Sequence, residues 1–467
     1  MFSILKIQNT LISITLGLLF FIPIYVSADS VRLLEEPDDA LASRIDLIQQ
    51  AKDTLLMEYY SFSNDEVATL VYALTLEAAD RGVEVRIVSD SLVHNLPDGV
   101  LALFAEHENI DVRLFQPIRK IYIPTHWNKH LHDKSMVIDN SQLIAGGRNI
   151  DNRFYNIGDN MLTRDRDIYV KSDSLGSGAV TDYANYFDDL WNNYQTGTTT
   201  LEIQKKYECP GLILGIPCRQ MQKGIEKEKL EWKERIDSFY ALMQEDRPEI
   251  FNTNYQWDSE HTVHDVEVSA VYDVIGDKTE DNGTSLALRT ALLAASSSVY
   301  AQSPYIIPTD IMEDLWLDLK SRDIDITFLT NSIYTSPNIL SVSATDHYKP
   351  FFLEEIGAEW WEFQDGESSI HAKSLVIDNN LSIIGSYNLD PRSAHTNMEL
   401  LFFVKSEEFA ETLTNAQNTL RENSVQLDMS GDVILIESSP EVGEVSFFNR
   451  MVVEILSFLA PLYAWST

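Results

Sequence analysis

Cysteine is nearly missing from this chain: Cys209 and Cys218 are the only two in 467 residues. A disulfide-built scaffold is thereby excluded, and with no histidine cluster beside the pair a metal centre built on it is not expected. Basic charge is short as well. Lys and Arg number 35 against 72 Asp and Glu, a formal net charge of −37. A field of that sign repels a polyphosphate backbone, which disfavours broad nucleic-acid binding. Net charge governs long-range encounter, so a local basic pocket inside the acidic shell remains compatible with it. Charged residues make up 23% of the chain and hydrophobic ones 44%, with 20 Phe, 20 Tyr and 8 Trp. Intrinsic disorder, collagen-like repeats and coiled coils fit that composition poorly. The length exceeds one compact core at ~100–200 residues per domain, so two cores or one duplicated core are expected.

The one long apolar run stands at the N-terminus. Lys6 precedes an almost wholly apolar stretch from Leu11 to Val26, and Ser27 and Ala28 put small residues before Asp29. This is the layout of a secretory signal peptide over residues 1–28. An uncleaved membrane anchor is the alternative, although the run falls short of the ~20 residues that cross a bilayer. Either way the body of the chain is expected to be exported, periplasmic or otherwise extracytoplasmic. There a local Cys209–Cys218 disulfide can form, with two free buried thiols as the other reading.

Further along, the second half repeats the first at an offset near 240 residues. Arg81 to Ser91 (RGVEVRIVSDS) parallels Arg322 to Ser332 (RDIDITFLTNS), His132 to Asn149 parallels His371 to Asn388, and Asp165 to Lys171 parallels Glu399 to Lys405. Three matched blocks in one order imply duplication. Each half alternates helical patterns with short β-rich runs, the βα alternation of a layered α/β fold with a mixed sheet flanked by helices. The expected domains are residues 29–195 and 261–430. Residues 196–260 form a linker with the Cys pair and a charged helix joining or covering the halves, and 431–467 a tail. In that tail Phe447, Met451, Ile455, Phe458 and Leu462 fall at helical spacing, read as a helix packed on the core, with a helix in a membrane interface as the alternative.

The chemistry sits in the repeated blocks. His132 and Lys134, like His371 and Lys373, stand at i and i+2, on one side of a strand, which suits two groups acting on one phosphate. Asp139 and Asp378 follow five residues after each Lys. They join the candidate catalytic set, with a structural role at turn amides as the alternative. A glycine-containing turn then ends in Asn149 or Asn388, whose amides can donate to a phosphoryl oxygen without adding charge. Asp165 and Glu399 are the carboxylates that can accept from an imidazole Nδ1 and leave Nε2 free. A lone histidine in such a stretch is usually structural, but two copies carrying Lys, Asp, Gly and Asn at identical spacings exceed what packing requires. His130 and His395 have no counterpart in the repeat and are set aside. Arg148, with Tyr387 at the matching place, is a candidate ligand for an anionic substrate or a partner to a surface carboxylate.

The spacing HxKxxxxDxxxxxxGSxN is complete in His371 to Asn388 and carries Gly147 in place of Ser in His132 to Asn149. It resembles the HKD motif of the phospholipase D superfamily. VRLFQP, GGRNIDNRF, TNS, GSYNLDPRS and a closing hydrophobic helix near Trp465 extend the resemblance to the bacterial cardiolipin synthases, most closely their C-type branch. That resemblance implies two phospholipase D-like domains in a pseudo-twofold monomer with one shared site and no metal or cofactor. It also implies a phosphohistidine mechanism. His132 would be the nucleophile and His371 acid, then base; Lys134, Lys373, Asn149 and Asn388 would hold phosphoryl oxygens; Asp165 and Glu399 would orient the histidines. Gly147, Arg148 and Ser386 fall in the substrate-binding set. The implied partners are a phospholipid substrate, phosphatidylglycerol with or without phosphatidylethanolamine, and a membrane surface; no nucleic acid is expected. Hydrolysis of the same lipids, a nucleic-acid phosphodiesterase and a non-catalytic lipid-binding protein are the competing readings. The strong acidity departs from the family and opposes docking on an anionic surface.

Overall fold

The computed structural model describes residues 28–115, 129–158, 160–172, 176–193, 196–198, 212–213, 216–251, 262–274, 278–435 and 439–466. The first lobe runs β1 (Ala28–Leu34), α1 (Pro37–Gln50), β2 (Thr54–Tyr59), α2 (Glu66–Asp80), β3 (Glu84–Asp90), α3 (Asp98–Glu106), β4 (Ile110–Phe115), β5 (Lys134–Ile138), β6 (Gln142–Gly146), β7 (Leu162–Arg164), β8 (Asp167–Ser172), α4 (Ala179–Asn192) and β9 (Thr196–Thr198). A two-residue hairpin, β10 (Leu212–Ile213) and β11 (Ile216–Pro217), and the long α5 (Cys218–Asp246) follow. The second lobe runs β12 (Val263–Tyr272), α6 (Gly283–Leu293), β13 (Ser298–Gln302), α7 (Asp310–Ser321), β14 (Asp325–Asn331), α8 (Ile339–Pro350), β15 (Glu359–Phe363), β16 (Ser368–Ile370), β17 (Ser374–Ile377), β18 (Leu381–Gly385), α9 (Pro391–His395), β19 (Leu400–Lys405), α10 (Glu407–Arg421), β20 (Ser424–Leu427), β21 (Val433–Ile434) and α11 (Phe447–Tyr463).

Hydrogen bonding orders the first sheet β1-β8-β6-β5-β2-β3-β4-β9 and the second β12-β19-β18-β17-β13-β14-β15-β20. Position by position the two orders are the same. In both, the fifth and sixth of the seven ladders are parallel and the others antiparallel, as βα crossovers followed by hairpins produce. β1 and β12 pair antiparallel across the junction, so the sheets are continuous through the pseudo-twofold axis. The motif strands β5 and β17 are buried along their whole length, which is why they read as unbroken KSMVI and SLVI instead of alternating. One core lies under the helices of each lobe, and a third, with Val137, Ile168, Val376 and Phe402, fills the space where the lobes meet. Burying that third core forces the two motif strands toward each other.

Three expectations change. The first sheet extends to Thr198, since Thr196–Thr198 pairs with β4, so the boundary at 195 falls inside the lobe. Helix α5 packs on α2 and α3 through Trp232, Ile236 and Met243, covering the first lobe instead of joining both. The third concerns α11: Phe447, Ile455, Phe458 and Leu462 are exposed, while Val453 and Ala460 are buried. The Phe447-to-Leu462 stripe therefore faces outward, because a helical period shows that a face exists without showing what meets it. The signal segment and Cys209 lie outside the described residues, as does the side chain of Cys218.

Candidate active site

Each imidazole is held by a carboxylate from the other lobe. The stretch entering the first motif lies beside the stretch entering Glu399: Leu131 bridges Met398, and His132 N–H donates to Met398 O at 2.9 Å. Likewise β16 pairs in parallel with β7, and His371 N–H donates to Arg164 O at 2.7 Å, one residue before Asp165. His132 Nδ1 then donates to Glu399 Oε2 at 2.9 Å, and His371 Nδ1 to Asp165 Oδ2 at 2.5 Å. With the carboxylate taking the Nδ1 hydrogen, Nε2 presents its lone pair. Neither lobe can orient its own histidine, so the site exists only in the paired form.

Both carboxylates are themselves fixed. Glu399 accepts from Ser386 Oγ at 2.5 Å, Ser393 Oγ at 2.7 Å and Asn397 Nδ2 at 3.2 Å, and its own N–H donates to Asp273 at 2.9 Å. Asp165 accepts from Arg166 N–H at 2.9 Å. Arg166 is fully buried and spans the lobes, forking onto Glu35 at 2.8 and 3.0 Å and reaching Gln302 at 2.7 Å and Ser374 at 2.6 Å. The Gly147/Ser386 difference follows from this. A Cβ at Gly147 would overlap the Asp165 carboxylate, whereas the longer Glu399 sits where a serine hydroxyl can donate to it. These two residues position carboxylates, which corrects their place in the substrate-binding set. Gly147→Ser is expected to displace Asp165 and cut turnover at least about a hundredfold, while Ser386→Ala, which removes one of the four side-chain donors to Glu399, should cost about tenfold. Initial rates with folding checked by circular dichroism decide it.

The two lysines converge with the histidines. Lys134 Nζ bonds the His132 carbonyl and lies 5.0 Å from the Tyr60 ring centre; Lys373 Nζ bonds the His371 carbonyl and lies 3.0 Å from its Nε2. Burial pulls the ammonium of Lys134 down to about 7 and that of Lys373 to about 8, despite Glu399 and Asp165. Burial likewise takes His132 to about 3 against the pull of Glu399, and His371 to about 4 with Lys373 adding to the effect. Burial pushes the Glu399 carboxyl up, but His132 and Lys134 outweigh it and leave it at about 2. At neutral pH the unliganded imidazoles are therefore neutral and nucleophilic, Lys373 is largely charged and Lys134 is poised near its midpoint, so together they supply the positive charge an anion would meet. For an anionic substrate kcat/KM should fall as pH rises through about 7 to 8, where the ammoniums discharge. Lys134→Arg should move that limb upward, as a pH–rate profile will read.

Other candidates sit elsewhere. Asp139 and Asp378 lie at the far end of the motif strands, roughly 16 Å of extended chain from the lysines. Asp139 accepts from the N–H groups of Asp53 at 2.8 Å and Thr54 at 2.9 Å; Asp378 accepts from Ser296 at 2.8 Å, Ser297 at 2.7 Å and Ser298 at 3.0 Å. Asp139, Asn140, Asp378 and Asn379 all have positive φ, the turn geometry that Asp and Asn tolerate. These aspartates anchor the starts of β2 and β13, which corrects their catalytic assignment. Burial pushes Asp378 up, but the serine amides outweigh it and hold it below the usual carboxylate range. Its stabilisation is thus present above ~3.9 and is lost as pH falls through the depressed value. Asp139→Ala and Asp378→Ala should each cost about 1–3 kcal/mol and leave kcat within severalfold; melting curves beside rates test this. Arg148 is buried against Leu34 O at 2.8 Å and Asp167 at 3.2 Å, with Arg44 on the same carboxylate at 2.9 Å. It is a structural cation, and the substrate-binding expectation is corrected. Asn149 Oδ1 accepts from Ser61 N–H at 3.3 Å, and Asn388 Oδ1 is buried with no partner. His130 pairs with Asp90 at 3.1 Å, and His395 lies at the surface 3.9 Å from Glu280.

Sequence reasoning missed several neighbours. Tyr60 stands edge-on to His132 at 5.0 Å, and Phe154 to His371 at 5.5 Å. Behind the first motif, Tyr186 donates to Asp133 at 2.7 Å and Tyr183 to Glu58 at 2.6 Å, and burial holds both carboxyls above their usual range. Ala372 stands where Asp133 would in the second copy, so only alternation along the strand could have flagged the pair. Beside the β7/β16 ladder opens a polar cleft of about 700 Å³ lined by Met161, Arg164, Asp365 and Glu367.

Residues 45–191 and 288–420, more than half of the chain, match the family profile described as cardiolipin synthase, PLD-like domain. Cardiolipin synthase C of Escherichia coli (strain K12) is 26% identical over 91% of this chain and 94% of its own. A Helicobacter pylori protein (strain ATCC 700392 / 26695), described as uncharacterized, is 27% identical over 90% of this chain and 87% of its own. Phosphatidylserine synthase of Haemophilus influenzae Rd KW20 shares the fold with a TM-score of 0.64 at 13% identity, covering 94% of this chain and 95% of that one. With the duplicated sheet and the crossed histidine–carboxylate pairs on both motifs, the chain belongs to the PLD-like cardiolipin synthase family.

Proposed function

We propose that this protein transfers a phosphatidyl group through a phosphohistidine, with phosphatidylglycerol as acceptor and cardiolipin as product. His132 Nε2 attacks phosphorus, the P–O bond to the leaving alcohol breaks, and His371 gives its proton to that oxygen. In the second step His371 takes the proton from the acceptor hydroxyl, the new P–O bond forms, and the P–N bond to His132 breaks. The proton for the first step comes to His371 when the bound phosphodiester anion raises its affinity. Lys134, Lys373 and the two asparagines meet the charge that develops on the non-bridging oxygens.

The single observation that carries the reading is the crossed pairing of His132 with Glu399 and His371 with Asp165. It binds two equivalent imidazoles into one site, as an attack-and-protonate pair requires. One chain supplies both, so a monomer suffices. The N-terminal pattern from Lys6 to Asp29 supports an extracytoplasmic location. Mass spectrometry of products after incubation with phosphatidylglycerol, with and without phosphatidylethanolamine, tests the proposal. Cardiolipin is expected; phosphatidic acid alone would make the protein a hydrolase.

A further inference from the structure

Among the described residues no helix is long and apolar enough to cross a membrane, yet α11 turns a line of large apolar side chains to solvent. Phe447 and Phe458 are each 83% exposed and Leu462 is 74% exposed, with Met451 and Ile455 between them on the same helical face. The patch continues onto Ile339 and Leu340 at the start of α8, also exposed, and Tyr463 OH donates to Leu340 O at 3.3 Å to tie the two helices. A contiguous apolar face of this kind is more than a soluble monomer ordinarily leaves uncovered.

Its position and charge select the occupant. The turn after α11, Ala464–Ser466, packs on α9. Within α9, Ser393 accepts from Asn388 N–H at 3.1 Å and donates to Glu399, the carboxylate that holds His132. The stripe thus ends beside the wall of the site. The helix carries one cation, Arg450, and one anion, Glu454, and is approached through Glu441 and Glu444. Arg450 is the one cation an anionic partner could meet there, against Glu454 and the two glutamates on the approach. In a chain of net charge −37 electrostatic attraction to lipid headgroups is absent, so attachment must come from apolar insertion.

We infer that α11 is a membrane-docking helix whose Phe447-to-Leu462 face inserts into the interface of a phospholipid bilayer by apolar contact, without drawing on headgroup charge, and seats the paired histidines at headgroup level. The inference rests on the phospholipid reading above, because the lipid substrate, together with the charge of the face, selects a bilayer over a second copy of the chain.

Hydrogen exchange of the full chain with phosphatidylcholine vesicles reads α11 directly, whatever else attaches the protein. Exchange across residues 447–463 should slow about tenfold on adding vesicles. The variant Phe447→Ser/Phe458→Ser/Leu462→Ser should lose that protection and bind vesicles about a hundredfold more weakly. It should still turn over short-chain phosphatidylglycerol dissolved below its micellar concentration at the unsubstituted rate. Unchanged exchange with vesicles, slowing that follows protein concentration without lipid, or equal loss on dissolved substrate would each overturn the docking role. Protection of α11 in a protein that makes no product from any lipid would keep the docking helix and discard the reaction. Turnover of dissolved lipid without protection would do the reverse.

Discussion

His132→Ala and His371→Ala should each lower turnover at least about 10⁴-fold, and the double variant should be no slower than the worse single one. The reason is the crossed geometry. His132 depends on Glu399 from the second lobe and His371 on Asp165 from the first, so in the proposed mechanism the two imidazoles would serve one phosphorus in consecutive roles. Residues that act as a unit do not contribute additively. Two independent sites, one per lobe, would predict the opposite: each single variant would keep about half the activity, and only the double variant would be dead. Steady-state rates on the four proteins separate these outcomes. His130→Ala is the control. The His130 ring faces Asp90 at 3.1 Å and lies edge-on to Tyr60 at 6.0 Å, while its link to Met398 runs through the backbone carbonyl that alanine keeps, so loss of the ring should cost no more than about tenfold.

Much of this site could be read from the chain, because duplication turns weak local signals into strong ones. His132 and His371, each with a lysine two residues on, repeat at one offset, and the topology repeats with them. The partners of Asp165 and Glu399 were less legible. A carboxylate near a motif in sequence is naturally assigned to that motif, and only the sheet joined through β1 and β12 delivers each to the other lobe. For Asp139 and Asp378 the spacing leaves a catalytic and a turn-amide role open, and the structure selects the turn amides. A spacing shared by both copies marks a shared requirement, and the requirement here is a hairpin turn with positive φ and three amides to satisfy. Arg148 looked like an anion ligand because its buried partner, Asp167, lies nineteen residues on and nothing local announces the pair. On α11 the period was right and the direction wrong, since amphipathicity fixes a face and not its environment.

The second large effect separates the roles of the two histidines by changing the leaving group. A glycerol alkoxide needs a proton to depart, whereas a p-nitrophenolate departs without one. With a p-nitrophenyl phosphodiester, His371→Ala should therefore still be phosphorylated, within about tenfold of the unsubstituted rate, and should stall there because no base remains to activate the acceptor. The trapped phosphoryl group should sit on His132, stable to alkali and labile to acid, and His132→Ala should trap none. Asp165→Asn should resemble His371→Ala, since it removes the carboxylate that fixes the ring of His371 at 2.5 Å. Glu399→Gln should resemble His132→Ala and label at least about a hundredfold more slowly. The crossed pairing makes this assignment specific: a substitution in the first lobe disables the second histidine, and one in the second lobe the first. Labelling on His371 with His132→Ala would exchange the two roles while leaving the shared site intact. Labelling of neither variant with the activated ester would remove the covalent step, because the geometry then aligns two imidazoles with a carboxylate behind each and no bond passes through either.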